Sequence, residues 1–371
     1  MKRWVRAVVL AVCVAMLTGC WDQANIEDLT LGLSIGIDLD EKDNLMVYMA
    51  APVFSKEAKR KNEVYEFRSK TIRVARNKFD SVVTALTVGG KSQMLLLGKR
   101  LVEQADWFPL TDVFFRDGKQ TVNSKVVLVN GPVSDVIHHY PKDKPRLSLH
   151  LTRLLDKNNR RNFTVRTTIQ KLIDQKYEKG MTISISELKL SEEFEVTGTA
   201  LLDNKGKYKG SLNQQESSSL LILQRRTAGE VPFNIHVPHE QKSGVFASDV
   251  VSFNAGVEKV KIKTAYNQGK FRFDVGIHLS GALTQRLFPF DFAKKGGELE
   301  VAIAKQLDKQ FSELVKKFQS LKVDPVGFGI YARAHQYKEY KQVQEQWGDV
   351  FAKADVNVKV KLTLKSSGAT K

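Results

Sequence analysis

Both cysteines of this chain, Cys13 and Cys20, fall within its first twenty residues, so everything beyond them must fold without a disulfide, a thiolate metal site or a cysteine nucleophile. Stability has to come from an ordinary apolar core, and 371 residues are enough for two or three domains of normal size. The setting of the two thiols is also informative. Lys2, Arg3 and Arg6 make a basic opening, and residues 7–16 are an uncharged apolar run. That run is too short to cross a hydrocarbon core, which takes about 20 apolar residues, and it has the profile of an export signal. Leu17-Thr18-Gly19-Cys20 then resembles a bacterial lipobox, in which small residues precede a thiol that is alkylated and becomes the new N-terminus. The expectation is a cleaved signal over 1–19 and a diacylglyceryl group on Cys20, with N-acylation as a further option; no other cofactor is expected. Two acyl chains hold a protein stably at a bilayer where one holds it only marginally.

The formal charge is +17, of which the signal supplies three. A basic body held at a lipid surface is drawn to anionic head groups, so an anionic membrane surface is an expected partner. Nucleic acid is the other usual partner of such a balance. It is excluded here because no aromatic-basic module appears and an exported protein does not meet it. No later stretch has the length of a membrane-crossing helix.

Period-two alternation sets the fold class. Leu29, Leu31, Leu33, Ile35, Ile37 and Leu39 interleave with polar or small residues and predict one continuous, half-buried strand. A polar turn at 40–44 leads into a second alternating run over 45–53, a hairpin. Residues 55–62 read as an exposed loop or helix start. Ile72, Ala75, Phe79, Val82, Val83 and Leu86 have helical spacing, with Gly89-Gly90 as the stop. Buried strands at 94–97 and 125–129 alternate with helical stretches at 106–115 and 134–140. Helices follow at 146–155 and 164–175. After a charged link at 191–193 come an alternating strand from Phe194, a turn at Asp203-Asn204-Lys205-Gly206, a helix over 217–225, and strands at 257–266 and 271–279 flanking Asn267-Gln268-Gly269. Leu307, Phe311, Leu314, Val315, Phe318 and Leu321 mark an amphipathic helix with Lys305, Lys309, Lys316 and Lys317 off its stripe. Asp324-Pro325 predicts a helix start, with Asp as cap and Pro in the first turn. A last strand alternates over 356–364. Hairpins mixed with helices outside a regular βαβ rhythm predict an α+β fold with mixed, largely antiparallel sheets in two or three domains. The expected division is 20–190 and 194–365, with a further division of the second as an alternative, and an unstructured tail at 366–371.

Catalytic patterns are present only in fragments. Gly32-Leu33-Ser34-Ile35-Gly36 spells G-x-S-x-G, but a nucleophile elbow needs a strand-to-helix turn and these residues sit inside a strand pattern. Gly90-Lys91-Ser92 looks like the end of a phosphate loop, yet Ala85 stands where its first Gly belongs and helix precedes strand. The seven histidines show no zinc spacing; His236 and His239 flank Val237-Pro238 and diverge. Asp38, Asp40 and Asp43 lack the Gly and Glu of a calcium loop and read as a solvated turn. Binding or assembly, not an enzyme, is the expected class.

Several motifs in order carry a family resemblance. Cys20-Trp21-Asp22 and the strand ending Gly36-Ile37-Asp38, then Leu97-Gly98-Lys99, Phe114-Phe115-Arg116-Asp117 and Gly198-Thr199-Ala200, resemble the spore-germination lipoproteins, the Ger(x)C family or C subunits of nutrient germinant receptors. So do Asp324-Pro325-Val326-Gly327-Phe328-Gly329-Ile330-Tyr331, Trp347 and the closing basic strand. Gln23-Ala24-Asn25 and Ala334-His335 depart from the family pattern. The resemblance implies an α+β lipoprotein anchored to the outer face of the inner spore membrane and assembled with integral-membrane A and B subunits. It makes Cys20 the lipidation site. Asp324, Pro325, Gly327, Phe328 and Gly329 stand as a cap and close-packed helix entry that doubles as a partner-contact candidate. The competing reading is a lipid-anchored solute-binding protein of a transporter, which requires two βαβ lobes around a cleft.

Overall fold

In the computed structural model, residues 2–7, 29–54, 57–118, 120–140, 143–237, 248–288 and 292–366 are described. Cys20, Trp21, Asp22, His239 and the tail from 367 on therefore lie outside the described residues.

The first layer is an eight-stranded mixed sheet. Its strands are β2 (Ser34–Leu39), β3 (Leu45–Pro52), β4 (Asn62–Arg68), β6 (Met94–Gly98), β7 (Lys125–Val129), β8 (Ser184–Leu190), β9 (Phe194–Leu202) and β10 (Tyr208–Leu212), in the order β10-β9-β8-β7-β6-β2-β3-β4. The four central strands β2, β6, β7 and β8 are mutually parallel, and hairpins extend the sheet on both sides. Helices α1 (Ile72–Val82) and α4 (Ile169–Tyr177) cover one face, and α2 (Val133–His138) and α3 (Leu147–Arg160) the other. Strands covered on both sides must be apolar throughout, which is why β6 reads Met-Leu-Leu-Leu and β7 Val-Val-Leu-Val.

That double covering corrects the half-buried reading of the first strand. Ser34 and Asp38, on the supposed outward face, are as buried as Ile37. The strand is also not continuous. It breaks at Gly32–Leu33, because β1 (Leu29–Leu31) pairs in parallel with β5 (Leu86–Val88) before the chain crosses into the main sheet. Leu86, assigned by spacing to the helix, belongs to β5. Ser34 opens a strand rather than a helix, and its hydroxyl meets that of Ser148 at 2.7 Å.

Three strands escaped the sequence pattern. β4 begins at Asn62, the last residue of the stretch expected as an exposed loop or helix start, and runs through residues that show no clear alternation. β8 reads Ser-Ile-Ser-Glu-Leu, and its polar members are buried with partners: Thr167 Oγ1 donates to the Ser184 carbonyl and Ser186 Oγ to that of Val165 (both 2.7 Å). β11 (Val231–His236) contains Pro232, which suits the edge position it takes.

The second sheet, β11-β12-β13-β14, is built on a long hairpin of β12 (Ser248–Asn267) and β13 (Lys270–Leu287). The last strand, β14 (Asp355–Ser366), joins β13 in parallel because a set of helices intervenes. These are α6 (Phe292–Ser320), α7 (Phe328–His335), α8 (Tyr337–Val343) and α9 (Trp347–Phe351). α6 buries Leu299, Ile303, Leu307, Phe311, Leu314 and Phe318 against Phe273, Val275 and Ile277 of the sheet. Each such side chain contributes roughly 1.5–3 kcal/mol. α6 also protects the sheet's edge: Asp308 accepts from the Val360 N–H and Glu300 from the Leu364 N–H, both at 2.6 Å, so β14 does not present a bare ladder.

The expected division at 191–193 falls on the β8–β9 turn, and the large sheet runs across it. Val165, Leu201 and Leu212 from the first layer pack in the same cluster as the core of the second, beside α5 (Gln214–Leu223). Gly198 lies at this junction with φ +148°, and a Cβ there would sit 2.0 Å from the Leu212 carbonyl oxygen. Backbone cannot give way as a side-chain tip can, so Gly198→Ala is expected to lower unfolding free energy by about 1–3 kcal/mol in urea titration. An unchanged midpoint would contradict this packing.

Candidate functional site

The sequence singled out residues 324–329, and the structure brings them to a buried junction. Two residues past the end of α6, Lys322 takes φ +57°, and the Val323 N–H closes back on the Phe318 carbonyl (3.0 Å). The chain then turns inward at Asp324, which is fully buried. Its Oδ1 accepts from the Gly327 N–H (2.8 Å); its Oδ2 accepts from the Gly329 N–H (2.9 Å) and from the indole Nε1–H of Trp347 (2.9 Å). One carboxylate thus caps α7 and binds it to α9.

The expected helix start at Pro325 is corrected. Helix α7 begins at Phe328, and Gly327 precedes it in a left-handed conformation (φ +90°) that a side chain would strain. Pro325 is part of the entry loop, and its carbonyl accepts from Gln224 Nε2 at 2.7 Å. Phe328, fully buried, stacks on Phe351 (5.3 Å between centroids) and tilts against Phe273 (4.9 Å). Trp347 meets Phe271 edge-on at 5.3 Å. Asp324, Pro325, Gly327, Phe328 and Gly329 are all buried within this chain, so their direct work is capping and packing rather than forming an outer face.

The same motif grips the loop after α4. The Thr182 N–H donates to the Asp324 carbonyl at 2.8 Å. Gly180 and Gly329 touch so closely that a Cβ on Gly329 would lie 2.7 Å from the Gly180 carbonyl oxygen. Beside this contact Arg333 forks onto Glu178 with two 2.8 Å bonds, and Glu178 also accepts from the Gly180 N–H (2.8 Å). Residues far apart in sequence are therefore locked in one hub, which spacing could not reveal.

Two carboxyls here move in opposite directions. Burial pushes Asp324 above the usual aspartate range, against the pull of Trp347 Nε1–H and the Gly329 and Gly327 N–H groups. For Glu178 burial also raises, but the Arg333 guanidinium and the Gly180 N–H outweigh it and hold the carboxyl below its ordinary value.

A second polar cluster, missed from sequence, lies at the carboxyl ends of β2, β6 and β7, where open parallel sheets place their ligand crevices. Asp38, Lys99, Arg100, Asn130 and Ser134 line a recess of about 660 Å³. Asp38 is not part of a solvated turn. It is 4% exposed, and it accepts from the Val133 N–H (3.0 Å) and the Leu39 N–H (2.8 Å). Asn130 Nδ2 donates to Glu187 (2.8 Å), which also accepts from Ser211 Oγ. Both buried carboxylates already have protein donors, so the cluster acts as a latch between strand ends. Asp40 alone shapes the turn, accepting from the Lys42 and Asn44 N–H groups (both 2.9 Å); the Asn44 N–H is the main reason its pKa falls to about 2. Among the described residues no group of three or more His, Cys, Asp or Glu side chains could hold a metal ion, and no helix is long and apolar enough to cross a membrane.

The fold and its buried hub define an α+β body of two sheet layers, and comparison with known proteins agrees with that class. Residues 22–190 match the spore germination protein N-terminal domain, and residues 197–368 match the spore germination B3/GerAC-like C-terminal domain. The chain belongs to this spore germination family, which is described by germination and not by a catalysed reaction. It is 23% identical to spore germination protein A3 of Bacillus subtilis (strain 168), over 98% of each chain. It is likewise 23% identical to spore germination protein B3 of the same organism, over 96% of each. Its fold is similar to the crystal structure of the GerBC protein, with a TM-score of 0.57 at 15% identity, over 92% of this chain and all of that one.

Asp324→Asn is expected to turn an amide N–H toward one of the three donors and to cost about 1–3 kcal/mol, with red-shifted Trp347 fluorescence in denaturant. Wild-type stability would sink this account of the hub. Glu178 has the sign of a depressed carboxyl: its contribution is present above the ordinary glutamate range and is lost as pH falls through the folded value. Glu178→Gln should therefore lower the urea midpoint at about pH 6 and narrow the difference between about pH 6 and pH 3.5. An unchanged difference would show that the Arg333 pair contributes nothing.

Proposed function

We propose that this protein is a lipid-anchored subunit of a nutrient germinant receptor. It sits on the outer face of the inner spore membrane and assembles there with integral-membrane A and B subunits. The observation that carries this reading is positional: the N-terminal family domain begins at residue 22, two positions after the lipobox Cys20, and the two domain matches together span nearly all of the processed chain. An acyl anchor at Cys20 would leave the whole folded body outside the bilayer, beside its membrane partners. Confinement to a plane raises effective concentration, so modest contacts suffice for assembly.

The protein's part is structural rather than catalytic. Its buried carboxylates Asp324 and Asp38 are engaged in internal latches, a construction that suits a scaffold. Nutrient sensing is assigned to the partners.

Two measurements test the proposal. Cys20→Ser is expected to abolish lipid labelling and to release the protein from membranes washed at about 0.5 M salt, which screens charge-held contacts. Deletion of the gene is expected to slow germination by nutrients while leaving germination by non-nutrient agents intact. Retention of the Cys20→Ser protein in membranes washed at about 0.5 M salt would refute the anchor. Equal impairment of both germination routes would refute the receptor role.

A further inference from the structure

The second sheet has two unlike faces. One packs on α6 and α7; the other is open. Strand alternation puts Val260 and Ile262, Phe273, Val275 and Ile277, and Val358 and Val360 inward, and leaves the residues between them outside. On β12 and β14 most of those residues are lysine, while β13 contributes Asp274, Gly276 and His278. The registers of β12, β13 and β14 line them up across the sheet: Lys259, His278 and Lys361 form one row, Lys261, Gly276 and Lys359 the next, and Lys263 stands beside Asp274 in a third.

The charges on this face do not cancel. The acids present are already engaged: Asp274 by Arg272 and Glu258 by Lys365. Lys359 reaches sideways to Asp308 of α6. Among the described residues Lys259, Lys261, Lys263 and Lys361 make no ion pair, and all four are exposed. Neighbouring strands are about 4.8 Å apart and alternate residues about 6.7 Å along a strand. Successive lysines of β12 thus lie about 6.7 Å apart, within one physiological Debye length of about 8 Å, and Lys361 lies two strands, about 9.6 Å, from Lys259, so the fields of neighbouring ammonium groups add. Gly276 leaves the centre of the array without a side chain. Over it lies a shallow hollow of about 340 Å³, rimmed by Lys259, Lys261, Lys263, His278 and Lys359, with Asp274, already held by Arg272, as the one acid on the rim.

We infer that this lysine-covered face of β12, β13 and β14 docks on an anionic lipid bilayer, with a headgroup phosphate seated over Gly276. Three features favour a bilayer over other polyanions. The array spreads over β12 and β14 on either side of β13 rather than along one line, matching a surface better than a strand. Its cations are mainly lysines, point charges that suit disordered headgroups, where sequence-reading sites use forked arginines. It offers no aromatic platform for stacked bases, His278 being the one ring in these rows. The inference deepens the membrane-surface reading above and needs that anchor only to keep the face close to lipid; its own binding does not depend on acylation.

The test uses the processed chain, residues 20–371 with Cys20→Ser, which contains every strand and helix of both layers and carries no lipid. Sedimentation with vesicles of phosphatidylglycerol and phosphatidylcholine is compared with pure phosphatidylcholine. Binding is expected to the anionic vesicles alone and to disappear at about 0.5 M salt. Changing Lys259, Lys261 and Lys263 together to Gln is expected to weaken it on the order of 100-fold, about five-fold per lysine. Changing Lys305, Lys309 and Lys316 of α6 to Gln removes the same charge from the other side of the sheet and is expected to leave binding near wild type. Equal loss in both triple variants would overturn the assignment, as would binding to soluble polyphosphate with none to anionic vesicles. Because no arm contains the acylated protein, failure here leaves the Cys20 anchor standing, and failure of the anchor leaves this face standing.

Discussion

The structure depends on a single buried carboxylate. Asp324 is withdrawn from water and kept there by N–H donors from Gly327, Gly329 and Trp347, while its own carbonyl takes the Thr182 N–H. Burying such a group is unfavourable unless its hydrogen bonds are made, so the donors have to arrive together. Their arrival fixes where α7 starts, where α9 packs and how the loop after α4 meets them. Gly327 and Gly329 follow from that constraint: one must take a left-handed turn, and the other must let Gly180 approach to backbone contact. The aromatic cluster of Phe271, Phe273, Phe328, Trp347 and Phe351 then closes over the carboxylate.

A body latched in this way suits a subunit whose work is to hold partners in register. The large sheet continues through the β8–β9 turn, and the hub ties residues 178–182 to residues 324–333, so the two family domains meet through a shared core as well as through surface contacts. The Asp38 latch works similarly at the other polar cluster, joining the end of β2 to the start of α2 with Gly98 pressed against it.

Much of this was legible in the sequence. Alternation located β2, β3, β9, β13 and β14, and the stripe from Leu307 to Leu321 located the buried side of α6. What misled was burial on both faces. A strand in the middle of a doubly covered sheet no longer reports inside and outside by parity, so Ser34 and Asp38 looked exposed when they were not. β8 was hidden for a related reason, since Ser184, Ser186 and Glu187 satisfy their polar groups inside the protein. At the hub, the Asp324 cap and the special glycines were visible in the motif, but Pro325 suggested an entry three residues too early. The pairing of Glu178 with Arg333 and of Thr182 with Asp324 had no local signal at all, because those contacts span more than 140 residues. The lysine alternation of the last strand was visible too, but its meaning needed the registers that set it beside β12.

The most direct measurement of the central claim is native-state hydrogen exchange at the hub. If the Asp324 carboxylate holds both layers together, the amides of Thr182, Gly327 and Gly329 and the indole N–H of Trp347 will exchange together, at the rate set by global unfolding. Exchange of Gly327 and Gly329 at rates typical of a surface loop, while the strands of both sheets stay protected, would contradict the account.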